Sequence, residues 1–320
     1  MWAGQRVVSA NTVRRYLVNG YGSQNARSQR SITLGIFCVL LLFCSACNSK
    51  GAAAETEKGQ PQPVNPVEPT RPVGQTGDWQ LVFEDDFTGS ELDTDNWVTC
   101  HWWNDEGCTI ASNDELEWYR PDNVFLRDGK LVLSARKESV TAPDGREFAY
   151  TSGMVSTGTD TYKSEAHKFT FKHVYVEMRA RVPGGKGLWP ALWLLPDDYE
   201  SLPEIDVMEI LGDKPNELHM NFHYLDDEGN RNSEGHTWTS PEPLTDWHVY
   251  GLDWQPRGIT WYLDGNKRNH YTAEEKYVPD EPMYLIANLA VGGEWPGIPD
   301  ADTTFPSDFE IDFIRVWMRN

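Results

Sequence analysis

Basic side chains are scarce in this chain. It has 28 lysines and arginines against 49 aspartates and glutamates, a formal net charge of -21 over 320 residues. A phosphate-coated partner would be repelled by that charge, so nucleic acid is not expected to bind. An anionic polysaccharide is disfavoured for the same reason, and a neutral partner fits best.

Acidic residues are absent from residues 1–46, which contain five arginines. An apolar stretch from Ile32 to Phe43 is too short to span a bilayer comfortably, and Ser45-Ala46-Cys47 follows it as a small-residue cleavage site. We therefore predict an export signal over 1–46. The segment resembles a lipoprotein signal, which would make Cys47 the lipidated residue. Secretion after cleavage behind Ala46 is the alternative.

These features predict an exported protein, either an outer-membrane or cell-surface lipoprotein or a secreted or periplasmic one. The membrane would be contacted only through the lipid on Cys47. We expect a monomer.

Cysteine is also scarce, with five residues in the chain. Three of them lie at or before position 47, so Cys100 and Cys108 remain for the folded part. In an oxidising compartment a disulfide between them is expected, and two reduced thiols are the alternative. Beyond position 47 no CxxC pair or Cys/His cluster predicts a structural zinc site.

Long helical patterns are missing throughout. Residues 47–76 are rich in Pro, Gly, Ala, Gln and Glu and predict a linker, which leaves 77–320 as the domain. Within the domain the hydrophobic period is two, as in Val174 to Val182, and Asp-Gly pairs at 128, 144 and 264 predict tight turns. Many short antiparallel strands predict an all-β fold, and the length favours a two-sheet β-sandwich of the jelly-roll type.

The segment EIDVMEI, residues 204–210, holds three acidic residues. Strand alternation places Glu204 and Asp206 on one face about 7 Å apart, but it points Glu209 into the core. An unpaired buried charge is costly, so we predict a β-bulge near Val207 and Met208 that returns Glu209 to the face of Glu204.

Crowding of three carboxyl groups raises at least one pKa, which is what glycoside hydrolysis by two carboxyl groups requires. Two alternatives stay open from this strand alone. The acids could simply face water, or the three carboxylates could bind calcium or magnesium.

EIDVMEI resembles the active-site signature of glycoside hydrolase family 16, in the bulged form of its laminarinase-like branch. Further stretches carry the same resemblance, namely NDELEWY (113–119), GKGLWPALWLLP (185–196) and NLAVGGEWPGIPD (288–300). The resemblance implies an open concave cleft, with Glu204 as nucleophile, Glu209 as general acid/base and Asp206 as an auxiliary acid beside Glu204.

A sugar chain needs aromatic faces for stacking and polar side chains for its hydroxyl groups. Strand parity and the resemblance together place a set of side chains in the cleft. They are Trp189, Trp193, His219, Asn221 and His223, with Trp295 from a glycine-rich loop and Asn113 and Asn288 from the family-like segments.

Many members of the family hold a structural calcium ion away from the cleft. The matching positions are the main-chain carbonyls of Asp86 and Gly129 and the side chain of Asp312, which could instead bond to nearby amides. No cofactor is expected for catalysis.

The implied activity is retaining endo-hydrolysis of β-1,3-glucan, including mixed-linkage β-1,3-1,4-glucan. Alternatives are the same fold acting on agar, carrageenan or xyloglucan, and a non-catalytic glycan-binding surface protein.

Overall fold

A computed structural model describes residues 69–101, 107–161, 166–272 and 277–320. The predicted export signal, Cys47 and most of the predicted linker lie outside these ranges. Among the described residues no helix has the length and apolar character to cross a membrane.

Eighteen strands and two short 3-10 helices, Ala111–Asn113 and Pro121–Asn123, make up the described secondary structure. In chain order the strands are β1 (Trp79–Asp85), β2 (Glu117–Tyr119), β3 (Val124–Leu126), β4 (Leu131–Ala135), β5 (Val140–Thr141), β6 (Glu147–Phe148), β7 (Tyr150–Ser152), β8 (Met154–Ser156), β9 (Tyr175–Arg181), β10 (Leu188–Pro196), β11 (Glu204–Glu209), β12 (Glu217–Leu225), β13 (Arg231–Thr239), β14 (His248–Gln255), β15 (Gly258–Leu263), β16 (Asn266–Tyr271), β17 (Met283–Val291) and β18 (Ser307–Arg319).

Two antiparallel sheets form the fold, as predicted. One has the order β16-β15-β14-β9-β18-β4-β3 with β1 added beside β18, and the other has the order β13-β12-β11-β10-β17-β8. Met178 and Ile311 of the first sheet and Leu192 and Met220 of the second belong to one buried apolar cluster. The sheets therefore pack face to face as a sandwich. The short pair β2 and β7 is parallel.

Two of the predicted Asp-Gly turns connect neighbouring strands of the first sheet. Asp264 and Gly265 join β15 to β16 in a two-residue hairpin, with φ angles of 51° and 72°. Asp128 and Gly129 turn between β3 and β4 with φ angles of 53° and 67°. Positive φ at both central residues defines the turn type whose twist matches that of paired strands.

The predicted bulge in β11 is confirmed. Asp206 pairs with Asn221 of β12 and Glu209 pairs with His219, so three residue steps in β11 face two in β12. Val207 and Met208 are successive residues, yet both are buried in the apolar cluster between the sheets. Since both point inward, the alternation restarts and Glu209 returns to the outer face.

The backbone of this bulge is held from across the core. The indole N–H of Trp261 on β15 donates to the carbonyl oxygen of Asp206 at 2.8 Å. Trp261 is fully buried, so this bond gives both the indole N–H and the Asp206 carbonyl a partner away from water. The first sheet thereby helps to fix the shape of β11 in the second.

The outer face of β9 is more buried than its alternation predicts. Tyr175 and Glu177 are covered, because the chain at 72–75 crosses this face. The N–H of Val73 and the indole N–H of Trp317 donate to the two carboxyl oxygens of Glu177, at 2.9 and 3.0 Å. The predicted linker includes residues up to 76, but its last residues thus contact the domain.

Candidate active site

A cavity of about 540 Å³ lies on the outer face of the six-stranded sheet. All three predicted catalytic residues line it, as do the predicted binding residues other than His219. They are Asn113, Trp189, Trp193, Glu204, Asp206, Glu209, Asn221, His223, Asn288 and Trp295. The strands β10, β11, β12 and β17 supply most of them, so the cavity is built on regular structure.

Glu209 is held by two donors. The indole N–H of Trp189 reaches one carboxyl oxygen at 3.2 Å, and the amide of Asn221 reaches the other at 2.6 Å. Asn221 faces Gly235 of β13, where a Cβ atom would lie 2.4 Å from its Oδ1. The glycine therefore leaves the space in which Asn221 orients Glu209.

Glu204, Asp206 and Glu209 form a row of carboxyl groups along β11, the carboxyl row. Glu204 lies at the end opposite Glu209, between two basic side chains. His223 Nε2 is 3.8 Å from its Oε1, and Arg231 Nη2 is 4.0 Å from its Oε2. His223 also lies 3.2 Å from Asp206 Oδ2. A protonated His223 would thus favour the ionised forms of both Glu204 and Asp206.

Burial dominates the electrostatics of the three acids. It raises the pKa of Glu204 to about 8, with the charge of Asp206 adding to the effect. It raises the pKa of Asp206 to about 7. Burial raises the pKa of Glu209 well above its ordinary value, and the charges of Asp206 and Glu204 raise it further. Glu209 is therefore the group best suited to keep a proton at neutral pH.

Aromatic side chains line the cavity near Glu209. The rings of Trp189 and Trp295 meet edge to face at 5.2 Å, and the ring of His219 lies 4.8 Å from that of Trp295. Trp295 is 43% exposed, so its ring is accessible at the rim. His219 thus packs against Trp295, and it is not among the residues that line the cavity.

Trp193 has a different environment from Trp189. It is only 8% exposed and packs in a small apolar cluster with Ile110 and Tyr284. Its indole N–H donates to Asn288 Oδ1 at 2.9 Å. It therefore offers the cavity an edge and not an open stacking face.

Sequence reasoning missed six lining residues, which are Ile110, Ser112, Glu115, Ala191, Ser201 and Arg231. Arg231 begins β13, and its distance from Glu204 depends on the register between β12 and β13. No Asp-Gly pair between these strands predicts that register from the sequence. Glu115 stands within the family-like NDELEWY segment, so its position could have been inferred from its neighbour Asn113.

Glu204, Asp206 and His223 also form the described group that could coordinate a metal ion, with ligand atoms within 4.8 Å of one another. Histidine thus takes the place of Glu209 in the metal site considered from sequence. Acid/base chemistry by Glu204 and Glu209 does not require a metal ion.

The predicted calcium position has a competing partner. Asp312 Oδ2 accepts from Arg179 at 2.6 Å, and Lys130 Nζ lies 3.8 Å from its Oδ1. Two cationic side chains beside a carboxylate oppose the approach of a divalent cation. As these side chains stand, Asp312 does not fit a calcium ligand.

We expect EDTA to leave the melting temperature of the protein unchanged, because Arg179 already neutralises Asp312. Differential scanning calorimetry with EDTA, and then with excess calcium or magnesium, measures this. A fall in melting temperature that calcium alone reverses would show that a bound ion stabilises the native state.

Crowded carboxyl groups beside indole rings in an open cavity are the features of an enzyme that cuts sugar chains. The model of glycosyl hydrolases family 16 matches residues 112–315. A β-glucanase of Rhodothermus marinus is 34% identical over 266 residues, covering 75% of this chain and 85% of the relative. The structure of an endo-β-1,3-glucanase from Pyrococcus furiosus is 36% identical with a TM-score of 0.66, covering 75% of this chain and 95% of that one.

A glucan endo-1,3-β-glucosidase A1 of Niallia circulans is 34% identical over 264 residues, but the match covers only 37% of that longer protein and 74% of this chain. The chain belongs to glycosyl hydrolases family 16. It is a glycoside hydrolase.

The hydrogen bond from Trp261 to the bulge provides a direct test of how the site is held. We expect Trp261→Phe to lower the free energy of unfolding by about 1 to 3 kcal/mol and to reduce kcat, because Asp206 loses the donor on its carbonyl. Chemical denaturation and steady-state kinetics measure the two effects.

Trp254→Phe is the matched control. Trp254 is also fully buried, and its indole N–H donates at 3.1 Å to the carbonyl of Pro279, a residue outside β11. It should lose comparable stability and keep its kcat. Equal loss of kcat in both variants would mean that Trp261 acts only through general stability.

Proposed function

We propose that this chain is an endo-acting, retaining β-1,3-glucanase with Glu204 as nucleophile and Glu209 as general acid/base. The observation that carries the proposal is the bulge in β11, which puts Glu204, Asp206 and Glu209 in the lining of one cavity. The relatives that act on β-1,3-glucan by name, and their similarity over most of this chain, support the substrate class.

The chemistry follows from the positions of the two glutamates. The carboxylate of Glu204 attacks the anomeric carbon while Glu209 gives its proton to the leaving glycosidic oxygen. In the second step the Glu209 carboxylate takes a proton from water, and the resulting oxygen nucleophile releases the sugar from Glu204. Asn221 keeps Glu209 in place through both steps.

His223 supports the nucleophile. Its Nε2 lies 3.2 Å from Asp206 Oδ2 and 3.8 Å from Glu204 Oε1, so a charged imidazole stands between the two carboxyl groups. Loss of a proton from Glu204 is then less unfavourable than burial alone would make it.

Release of reducing ends from laminarin, lichenan, agarose and xyloglucan tests the activity and its linkage preference. We expect laminarin to be cut and Glu209→Ala to lose about 10²- to 10⁴-fold in kcat, the contribution of a general acid. Glu204→Ala should lose at least as much. Glu234→Ala, which changes an exposed acid of β13 outside the cavity, should match the wild type.

An aryl β-glucoside with an activated leaving group separates the two roles. Because such a leaving group needs little protonation, Glu209→Ala should recover much of the first-step rate, whereas Glu204→Ala should not. Full activity of Glu204→Ala on laminarin would refute its assignment as the nucleophile. Absence of cleavage of all four polymers by the wild type would refute the enzyme assignment.

Arg231 should set the acidic limb of the pH profile. Its charge lowers the pKa of Glu204, which burial raises. Removing the guanidinium therefore raises the pKa of the nucleophile, so ionisation and activity should begin at a higher pH. We expect Arg231→Ala to move the acidic limb of kcat/KM upward by about half a pH unit, since the pair is partly exposed.

The alkaline limb should not move in that variant, because it reports ionisation of Glu209. Arg231→Lys, which keeps the charge, serves as the control. A downward shift of the acidic limb, or an equal shift in both variants, would contradict the proposed interaction.

We further propose that the protein is exported and carries a lipid on Cys47. The disulfide between Cys100 and Cys108 supports an oxidising compartment. Mass spectrometry of the N-terminal peptide from membranes of the native host distinguishes an acylated Cys47 from a free terminus after cleavage behind Ala46.

A further inference from the structure

A second pair of carboxyl groups, separate from the catalytic row, lies in the wall of the cleft. Glu115 is 7% exposed and lines the cavity, whereas Glu117 is fully buried behind it and does not. The N–H of Val291 donates to Glu117 Oε2 at 2.8 Å. Among the described residues no basic side chain is bonded to either glutamate, so the pair needs a proton or another source of compensation.

The two carboxyl groups of this pair are neighbours, and the charge of Glu115 raises the pKa of Glu117. Two carboxylates side by side repel each other and have no donor between them, so the pair favours holding one proton. Among the described residues no donor reaches Glu117 Oε1, and this oxygen is buried. The proton therefore belongs on Glu117, whose pKa is raised well above its ordinary value by burial and by the charge of Glu115.

Glu115 is the acceptor of the pair. Asn113 Nδ2 donates to its Oε1 at 3.0 Å, and the hydroxyl of Tyr119 donates to its Oε2 at 3.2 Å. With these two donors the carboxylate of Glu115 is compensated despite its burial. The pair thus carries one negative charge and one proton.

A chain of hydrogen bonds connects Glu115 to the floor of the cleft. The indole N–H of Trp193 donates to Asn288 Oδ1 at 2.9 Å, and Asn288 Nδ2 donates to the Tyr119 hydroxyl at 2.9 Å. The Tyr119 hydroxyl then donates to Glu115. The chain begins at an indole that can only donate and ends at a carboxylate that can only accept, so Trp193 and Glu115 together fix the orientation of the Asn288 amide and the Tyr119 hydroxyl.

The same charge fixes Asn113. Its amide nitrogen faces Glu115, which leaves its carbonyl oxygen as the group available to a ligand. Asn113 and Asn288 both line the cavity, and a glycan hydroxyl is recognised by the donors and acceptors that such amides present.

We propose that Glu115 is a positioning residue that sets the hydrogen-bonding pattern of Asn113 and Asn288 toward the sugar chain, and that Glu117 serves as its built-in proton donor. The proposal rests on the glucanase activity proposed above. It assigns the affinity for the glycan, and not the chemical step, to this pair.

Substitution of each glutamate by glutamine separates the two roles. In Glu117→Gln the amide nitrogen still donates to Glu115 and the amide oxygen still accepts from Val291, so KM should change by less than about twofold. In Glu115→Gln the amide nitrogen must face a donor from Tyr119, Asn113 or Glu117, which leaves one of them without an acceptor. KM for laminarin should rise by about tenfold or more, with kcat within about threefold of the wild type.

Laminaritriose binding by isothermal titration calorimetry, measured with the additional Glu204→Gln change to prevent turnover, should show the same difference in Kd. Melting temperatures of both variants show whether each is folded. Equal effects of the two substitutions, or a loss confined to kcat, would overturn the proposal.

The proton on Glu117 has its own readout, which does not depend on any substrate. The infrared difference spectrum between wild type and Glu117→Gln should show loss of one protonated carboxyl band, and an unchanged band would overturn the assignment. The wild type could fail to cut laminarin even though Glu117→Gln loses this band. In that case the proposed substrate is wrong, but the assignment of the proton to Glu117 is retained.

Discussion

The hydrogen bond from the Trp261 indole to the carbonyl of Asp206 is the interaction on which the site depends. A regular strand cannot place Glu204 and Glu209 on one face, because five residue steps put them on opposite faces. The bulge corrects the phase by turning both Val207 and Met208 into the core. Trp261 satisfies a backbone acceptor at this irregular position, so a buried side chain of one sheet shapes the reactive strand of the other.

Burial has opposite consequences for the acids of the cleft. It keeps a proton on Glu209, where acid catalysis needs one, but it also disfavours the charge that Glu204 needs for attack. The basic groups of His223 and Arg231 lie beside Glu204, whereas in the part of the chain that the structure describes no basic side chain is bonded to Glu209. Distribution of basic neighbours along the row therefore separates the roles of two chemically identical side chains.

The same principle operates at Glu115 and Glu117. There the environment places a proton on one glutamate and a charge on the other, but four hydrogen-bonded neighbours lead to binding residues and not to a reacting bond. The cleft thus contains two carboxyl groupings, one suited to proton transfer and one suited to fixing amide side chains.

Strand alternation and the free-energy cost of burying a charge were enough to predict the bulge. An unpaired carboxylate at position 209 is far more stable on the outer face of the sheet than in the core. Asp-Gly pairs likewise predicted hairpins at 128 and 264, since few other residues accept two successive positive φ angles. Such inferences use only local geometry.

Other features depend on contacts between distant segments. The period of two along Val174 to Val182 places Glu177 on the outer face of its strand, and the chain at 72–75 covers it there. His219 shares the strand face of Asn221, but it packs against the ring of Trp295 and is not among the residues that line the cavity. Arg231 approaches Glu204 through strand register, and Asp312 has Arg179 as its partner. No pattern along the sequence specifies these neighbours.

The stereochemistry of the first product tests the account most directly. Proton NMR of laminarin during the earliest turnovers shows the anomeric configuration of the newly formed reducing end before mutarotation. The paired positions of Glu204 and Glu209 on the bulged strand predict the β-anomer, which two successive displacements produce. Initial release of the α-anomer would mean a single displacement by water and would contradict the role of Glu204 as nucleophile.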